Sequence, residues 1–128
     1  HGDGISIHWG EGEAICGESH LCVNDYMSQQ FFMKLSRKMH RHGSIFLDSC
    51  LSSTTDPRNM LGGENLGSWV AKTVGKGIRV IGSVLSFGKV RVKRFIAWHA
   101  QIDVDGESNV QRVHVAPGAR CPSWAKSS

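Results

Sequence analysis

No stretch of this chain is apolar for anything like the ~20 residues a bilayer-spanning helix needs, so no membrane partner is expected. The opening residues, His1, Gly2, Asp3 and Gly4, lack the basic and apolar regions of a signal peptide. Position 1 is not methionine, which points to a piece of a longer protein or a processed chain. The first is expected, because the opening reads like the middle of a motif. Localisation, cytoplasmic or exported, is therefore not readable from the missing leader. Cysteine is sparse, with four in 128 residues, too few for a dense disulfide scaffold. No internal repeat is present. The net charge of +4 and pI of about 9.1 describe mostly solvated surface and favour acidic partners only weakly.

The rest is ordinary globular composition, 40% hydrophobic and 20% charged, so nothing reads as disordered. Residues 1–128 are expected to form a single α/β domain that can bury a core without disulfides or metal. Residues 5–9 alternate apolar and polar, which predicts a short strand. Asn24 or Asp25 then caps a helix whose apolar stripe is Met27, Phe31, Phe32, Leu35 and Met39. Lys34, Arg37, Lys38, His40 and Arg41 suit its C-terminal half, and Gly43 is its expected stop.

Residues 44–50 form a continuous apolar run bounded by turn residues, the pattern of a strand covered on both faces. Residues 51–63 are a Ser-, Thr- and Gly-rich loop long enough to suggest function. After Glu64 and Asn65 a second helix carries Leu66, Trp69, Val70, Thr73 and Val74 and ends at Gly75, and residues 78–85 are a second apolar strand. Strand, helix, strand with short connections predicts a βαβ unit with parallel strands. Residues 89–93, about 95–104, and 109–115 predict antiparallel peripheral hairpins, with a turn at Asp105 and Gly106.

Several chemistries find no support. Gly62 and Gly63 are not followed by the lysine of a phosphate loop, and no carboxylate pair suggests glycosidase work. Cys16, His20 and Cys22 are tightly spaced, but no fourth ligand follows at regular spacing and no standard zinc finger is matched. A turn, or a Cys16–Cys22 disulfide in an exported protein, is the plainer reading. His40 and His42 are expected in solvent, while His8, His99 and His114 sit on strands with no evident partner. Lys89, Arg91 and Lys93 project from one strand face without interleaved stacking aromatics, so a solvated edge is expected and nucleic-acid binding is not. No cofactor and no metal are expected.

Cys50 stands apart. Ligands of open α/β sheets bind beyond the carboxyl ends of the strands, where this thiol is expected to end its strand and open a long loop. A thiol nucleophile needs a base or cation beside it and amides to hold an oxyanion, and His1 and Gly2 offer both.

The order His1-Gly2, a small hairpin, a helix, an apolar strand ending in Asp48-Ser49-Cys50, then a helix and strand over residues 65–85, resembles the caspase and gingipain superfamily of cysteine peptidases. The likeness covers residues 1–87. It implies a caspase-like fold, N-terminally incomplete, with a parallel-core sheet, flanking helices and C-terminal antiparallel hairpins. It implies a peptide or protein substrate, His1 as general base and Cys50 as nucleophile. The main-chain amides of Gly2 and Cys50 would form the oxyanion hole, and Asp48, Ser49 and Ser83 would bind substrate. The loop after Cys50 and the segment after residue 85 would line the groove. The residues around the cysteine do not match the caspase pattern, and the strands that should precede His1 are absent from this sequence.

Two other readings belong to different classes. An inactive relative would use the same edge and loop for protein–protein contact. Alternatively, His1 as a true N-terminus would bind copper through its amine and ring, as in polysaccharide monooxygenases. The βαβ pattern does not suit the β-sandwich of those enzymes.

Overall fold

The computed structural model describes residues 2–8, 13, 15–40, 43–75, 77–84, 90–96, 99–104 and 107–115. Strand β1 (Ser6–His8) pairs antiparallel with β2 (His20–Cys22), Ile7 standing opposite Leu21. Ile5, Ile7, Leu21 and Val23 turn inward to the core, as period-2 alternation requires.

Helix α1 (Tyr26–Arg37) starts at Asp25, whose carboxylate accepts from the Ser28 amide. The helix is shorter than its apolar spacing suggests. It ends at a Lys38 cap, not at Gly43. The Ser36 hydroxyl donates to the Met33 carbonyl, and Met39 lies past the cap, against the core. The expected stripe holds in part: Phe32 is buried and Leu35 and Met39 pack against the core, while Met27 and Phe31 are 58% and 47% exposed. Ser28 and Ser36, one turn to either side of Phe32, complete the buried line. Ser28 is suited to burial because its hydroxyl donates to Asp25 and accepts from the Cys22 amide, which ties β2 to the helix.

Strand β3 (Ser44–Leu47) is next, shorter than the apolar run, with only Leu47 fully buried. It is the end strand of its sheet among the described residues, and its Ile45 and Phe46 are half-buried. Beyond the loop, a 3-10 turn at Pro57–Asn59 is capped by Asp56, and Leu61 and Glu64 close a tight turn whose central Gly62 and Gly63 both have positive φ. Helix α2 (Leu66–Val74) has a full capping box, Asn65 accepting from the Ser68 amide and Ser68 accepting from the Asn65 amide, and Gly75 is its cap.

Strand β4 (Arg79–Gly82) pairs parallel with β3, Ser44 opposite Arg79 through Leu47 opposite Gly82. The βαβ unit is therefore present. Strands β5 (Val90–Ile96), β6 (His99–Val104) and β7 (Glu107–Val115) form an antiparallel meander. It is not a separate layer: β7 pairs antiparallel with β4, giving one mixed sheet in the order β3-β4-β7-β6-β5. The turn at 105–106 lies outside the described residues. Strand β5 is an edge among the described residues, with a register shift between Val92 and Arg94. There Lys93 faces Asp103 at 3.7 Å and the Arg94 Nε donates to Gln101 at 2.9 Å, which fits a charged, protected edge.

The two helices meet through Phe32 and Trp69, edge to face at 6.2 Å. Leu47, Leu66, Val70, Val74, Ile78 and Val80 extend this core from α2 to the parallel strands. No described helix is long and apolar enough to cross a membrane.

Candidate functional site

Cys50 does not end its strand. β3 stops at Leu47, and the Ser49 amide donates back to the Leu47 carbonyl at 2.8 Å, so the chain turns before the thiol. Cys50 is partly exposed, in no disulfide, and followed by Leu51 at φ 59°, a region in which non-glycine residues are strained. Local structure over-determines that turn. The Ser52 hydroxyl lies within reach of the Leu47 and Ser49 carbonyls (3.4 and 3.3 Å) and accepts from the Ser83 amide at 3.2 Å. The Ser53 amide donates to the Ser83 carbonyl at 2.9 Å, and the Gly67 amide to the Ser52 carbonyl at 2.8 Å. A knot of small hydroxyl residues thus fastens the Cys50 turn to the end of β4 and the first turn of α2. Ser52, Ser53 and Thr54 are buried, so this part of the loop is packed structure.

The N-terminal segment lies against the knot. A β-carbon at Gly2 would sit 2.6 Å from the Ser6 carbonyl oxygen, 2.9 Å from the Ser49 Cβ and 3.1 Å from its hydroxyl. The Asp3 carboxylate accepts from the amides of Ile5 and Ser6 and shapes the bend into β1, while the Leu66 amide donates to the Gly4 carbonyl at 2.7 Å. Gly2 is thereby held beside the residue that precedes Cys50.

Of the expected site residues, Gly2, Asp48, Ser49, Cys50 and Ser83 gather at this end of the parallel pair, and His1 lies outside the described residues. Asp48 is exposed, whereas Ser49 and Ser83 are 2% and 0% exposed. The Ser49 and Ser53 hydroxyl oxygens are buried with no hydrogen-bond partner among the described residues. Ser52 and Gly67 escaped sequence reasoning. The signal for them was weak: four adjacent small hydroxyl residues, Ser52 to Thr55, just after an apolar run, with glycine in the first turn of the next helix. His114 is packed against α2, where a Gly67 β-carbon would approach its ring to 2.5 Å.

A second cluster lies on the β1–β2 pair. Cys16 and Cys22 form a disulfide, Cα atoms 5.6 Å apart, in place of the zinc cluster or plain turn that their spacing also admitted. His8, for which the sequence offers no partner, stands opposite His20, ring centroids 4.4 Å apart. Partial burial, then repulsion from His20, lowers the His8 pKa below the usual histidine range. Elsewhere, hydrogen bonds from the exposed Arg58 hold the Asp56 carboxyl below its usual range.

The arrangement at Cys50 can present a thiol on a fixed turn beside main-chain amides, at the sheet end where α/β proteins bind ligands. No protein-family model, curated protein or solved structure matches this chain.

Proposed function

We propose that this chain is the C-terminal part of a caspase-like cysteine-peptidase domain, with Cys50 as its nucleophile and His1 as general base. One observation carries the reading: Gly2, the residue bonded to His1, is packed against Ser49, the residue bonded to Cys50. Two segments 47 positions apart are thereby brought to one end of the β3–β4 pair. The positive φ of Leu51 and the serine knot add support, since strain held immediately after a candidate nucleophile is a common feature of functional turns.

In this reading the Cys50 sulfur attacks the scissile carbonyl carbon. The oxyanion is held by the amides of Gly2 and Cys50. His1 removes the thiol proton and returns it to the leaving amine, leaving a thioester on Cys50; water, deprotonated by His1, then releases the acid. Asp48 is the exposed member of the expected substrate-binding set. Ser49 and Ser83, being buried, act by fixing the turn. A peptide or protein is the substrate.

The test is cleavage of a peptide library by the full-length protein and by its Cys50→Ala form. Turnover lost with the thiol supports the proposal. Full turnover in Cys50→Ala contradicts it. A folded wild-type protein that binds peptides or proteins without cleaving them would instead support an inactive, contact-making relative.

A further inference from the structure

The face of the β1–β2 pair opposite Ile7 and Leu21 collects four side chains of the metal-ligand type, of which Cys22 is buried. His8 is in register with His20 and Ser6 with Cys22, while Ile7 and Leu21 point into the core. Residues two apart in a strand share a face, so His8, His20 and Cys22 project together, and the disulfide adds Cys16 to them. The two imidazoles are already in ring contact at 4.4 Å. The Ser19 hydroxyl lies 3.0 Å from His20 Nδ1 and donates to the Glu13 carbonyl at 2.7 Å. A partner on Nδ1 fixes the ring and leaves Nε2 as the coordinating atom, the outer-shell arrangement typical of metal-binding histidines.

In one segment the spacing of Cys16, His20 and Cys22 is short of a fourth ligand. The strand ladder supplies it from β1. We infer that, when the disulfide is reduced, Cys16, Cys22, His8 and His20 bind one zinc ion. Among the described residues no three histidine, cysteine or carboxylate side chains form a cation site in the oxidised state. The sulfurs are there bonded to each other. Two thiolates and two imidazoles are a standard tetrahedral zinc set. The switch needs a dithiol reductant: the Cys16–Cys22 bond breaks, the reductant forms its own disulfide, and its two thiol protons pass to the cysteines. Zinc then displaces those two protons to solvent. The hairpin is held covalently in an oxidising setting and by metal in a reducing one. Neither His1 nor Cys50 takes part, so this inference stands apart from the peptidase reading.

The experiment uses the full chain carrying Cys50→Ser and Cys121→Ser, reduced with a dithiol, freed of it without air, and titrated with cobalt(II) and then zinc. One equivalent of cobalt should give thiolate charge-transfer absorption and intense tetrahedral d–d bands, bleached by one equivalent of zinc. The oxidised chain should give neither. His8→Asn and His20→Asn should each abolish the tetrahedral bands, and Ser19→Ala should keep them while weakening binding roughly tenfold. X-ray absorption at the zinc edge of the parent chain requires no histidine variant, and should show two sulfur and two imidazole nitrogen neighbours. Absence of thiolate bands, bands unchanged in both histidine variants, or a zinc shell without imidazole would overturn the inference.

Discussion

Gly2 rests on Ser49 so closely that a single methyl group has no room: the added carbon would lie 2.9 Å from the Ser49 Cβ and 2.6 Å from the Ser6 carbonyl oxygen. The second of these is backbone and cannot rotate away. Gly2→Ala should therefore push the N-terminal segment off the Cys50 turn, at a cost of about 1–3 kcal/mol in overpacking. The check is paired: a lower denaturant midpoint, and slower cleavage or alkylation at Cys50. Unchanged values in both would show that the two segments are not in contact.

The serine knot makes a contrast between neighbours. Ser52→Ala removes a buried acceptor from the Ser83 amide and should cost roughly 0.5–1.5 kcal/mol. The Ser53 hydroxyl is equally buried but has no hydrogen-bond partner among the described residues, so Ser53→Ala should be neutral or stabilising. Urea titrations of the two variants should separate their midpoints with little change in slope.

Gly67→Ala tests the contact between α2 and β7. Helix propensity alone favours the change by roughly 1 kcal/mol. The new carbon, however, would meet the His114 ring at 2.5 Å and the Ser52 carbonyl at 3.1 Å. Overpacking of about 1–3 kcal/mol should win, and the variant should be less stable. Combining it with His114→Ala should recover part of the loss, a coupling that a double-mutant cycle would measure.

His8 gives stability a pH dependence. Its pKa is lowered in the folded chain by partial burial and by His20, so the unfolded chain binds the proton more readily. Stability from this group is present above the ordinary histidine pKa and should fall as pH drops through about 6.5. Unfolding midpoints measured from neutral to mildly acidic pH should decline, and His8→Gln should flatten part of that decline.

Where the determinants are local, the fold was legible. Asn65 and Gly75 bound α2 as read, and the parallel register of β3 and β4 follows from their apolar runs and short connections. The C-terminal alternation likewise located three strands. What escaped depends on contacts between distant segments. Ser28 and Ser36 join Phe32 on the buried line because their hydroxyls are satisfied there, and hydrophobic periodicity put the exposed Met27 and Phe31 in their place. Strand β3 stops at Leu47 because Ser52 and Ser83 organise the turn, a tertiary constraint that apolar continuity does not encode. His8 and His20 are paired by strand register, which no sequence spacing announces.

Alkylation of Cys50 with and without the imidazole of His1 tests the central claim most directly. Iodoacetamide labelling of the folded full-length protein, resolved by peptide mass spectrometry, should show Cys50 reacting faster than Cys121, with His1→Ala slowing Cys50 alone by about tenfold or more. A Cys50 rate indifferent to His1, in variants that stay folded, would contradict the account.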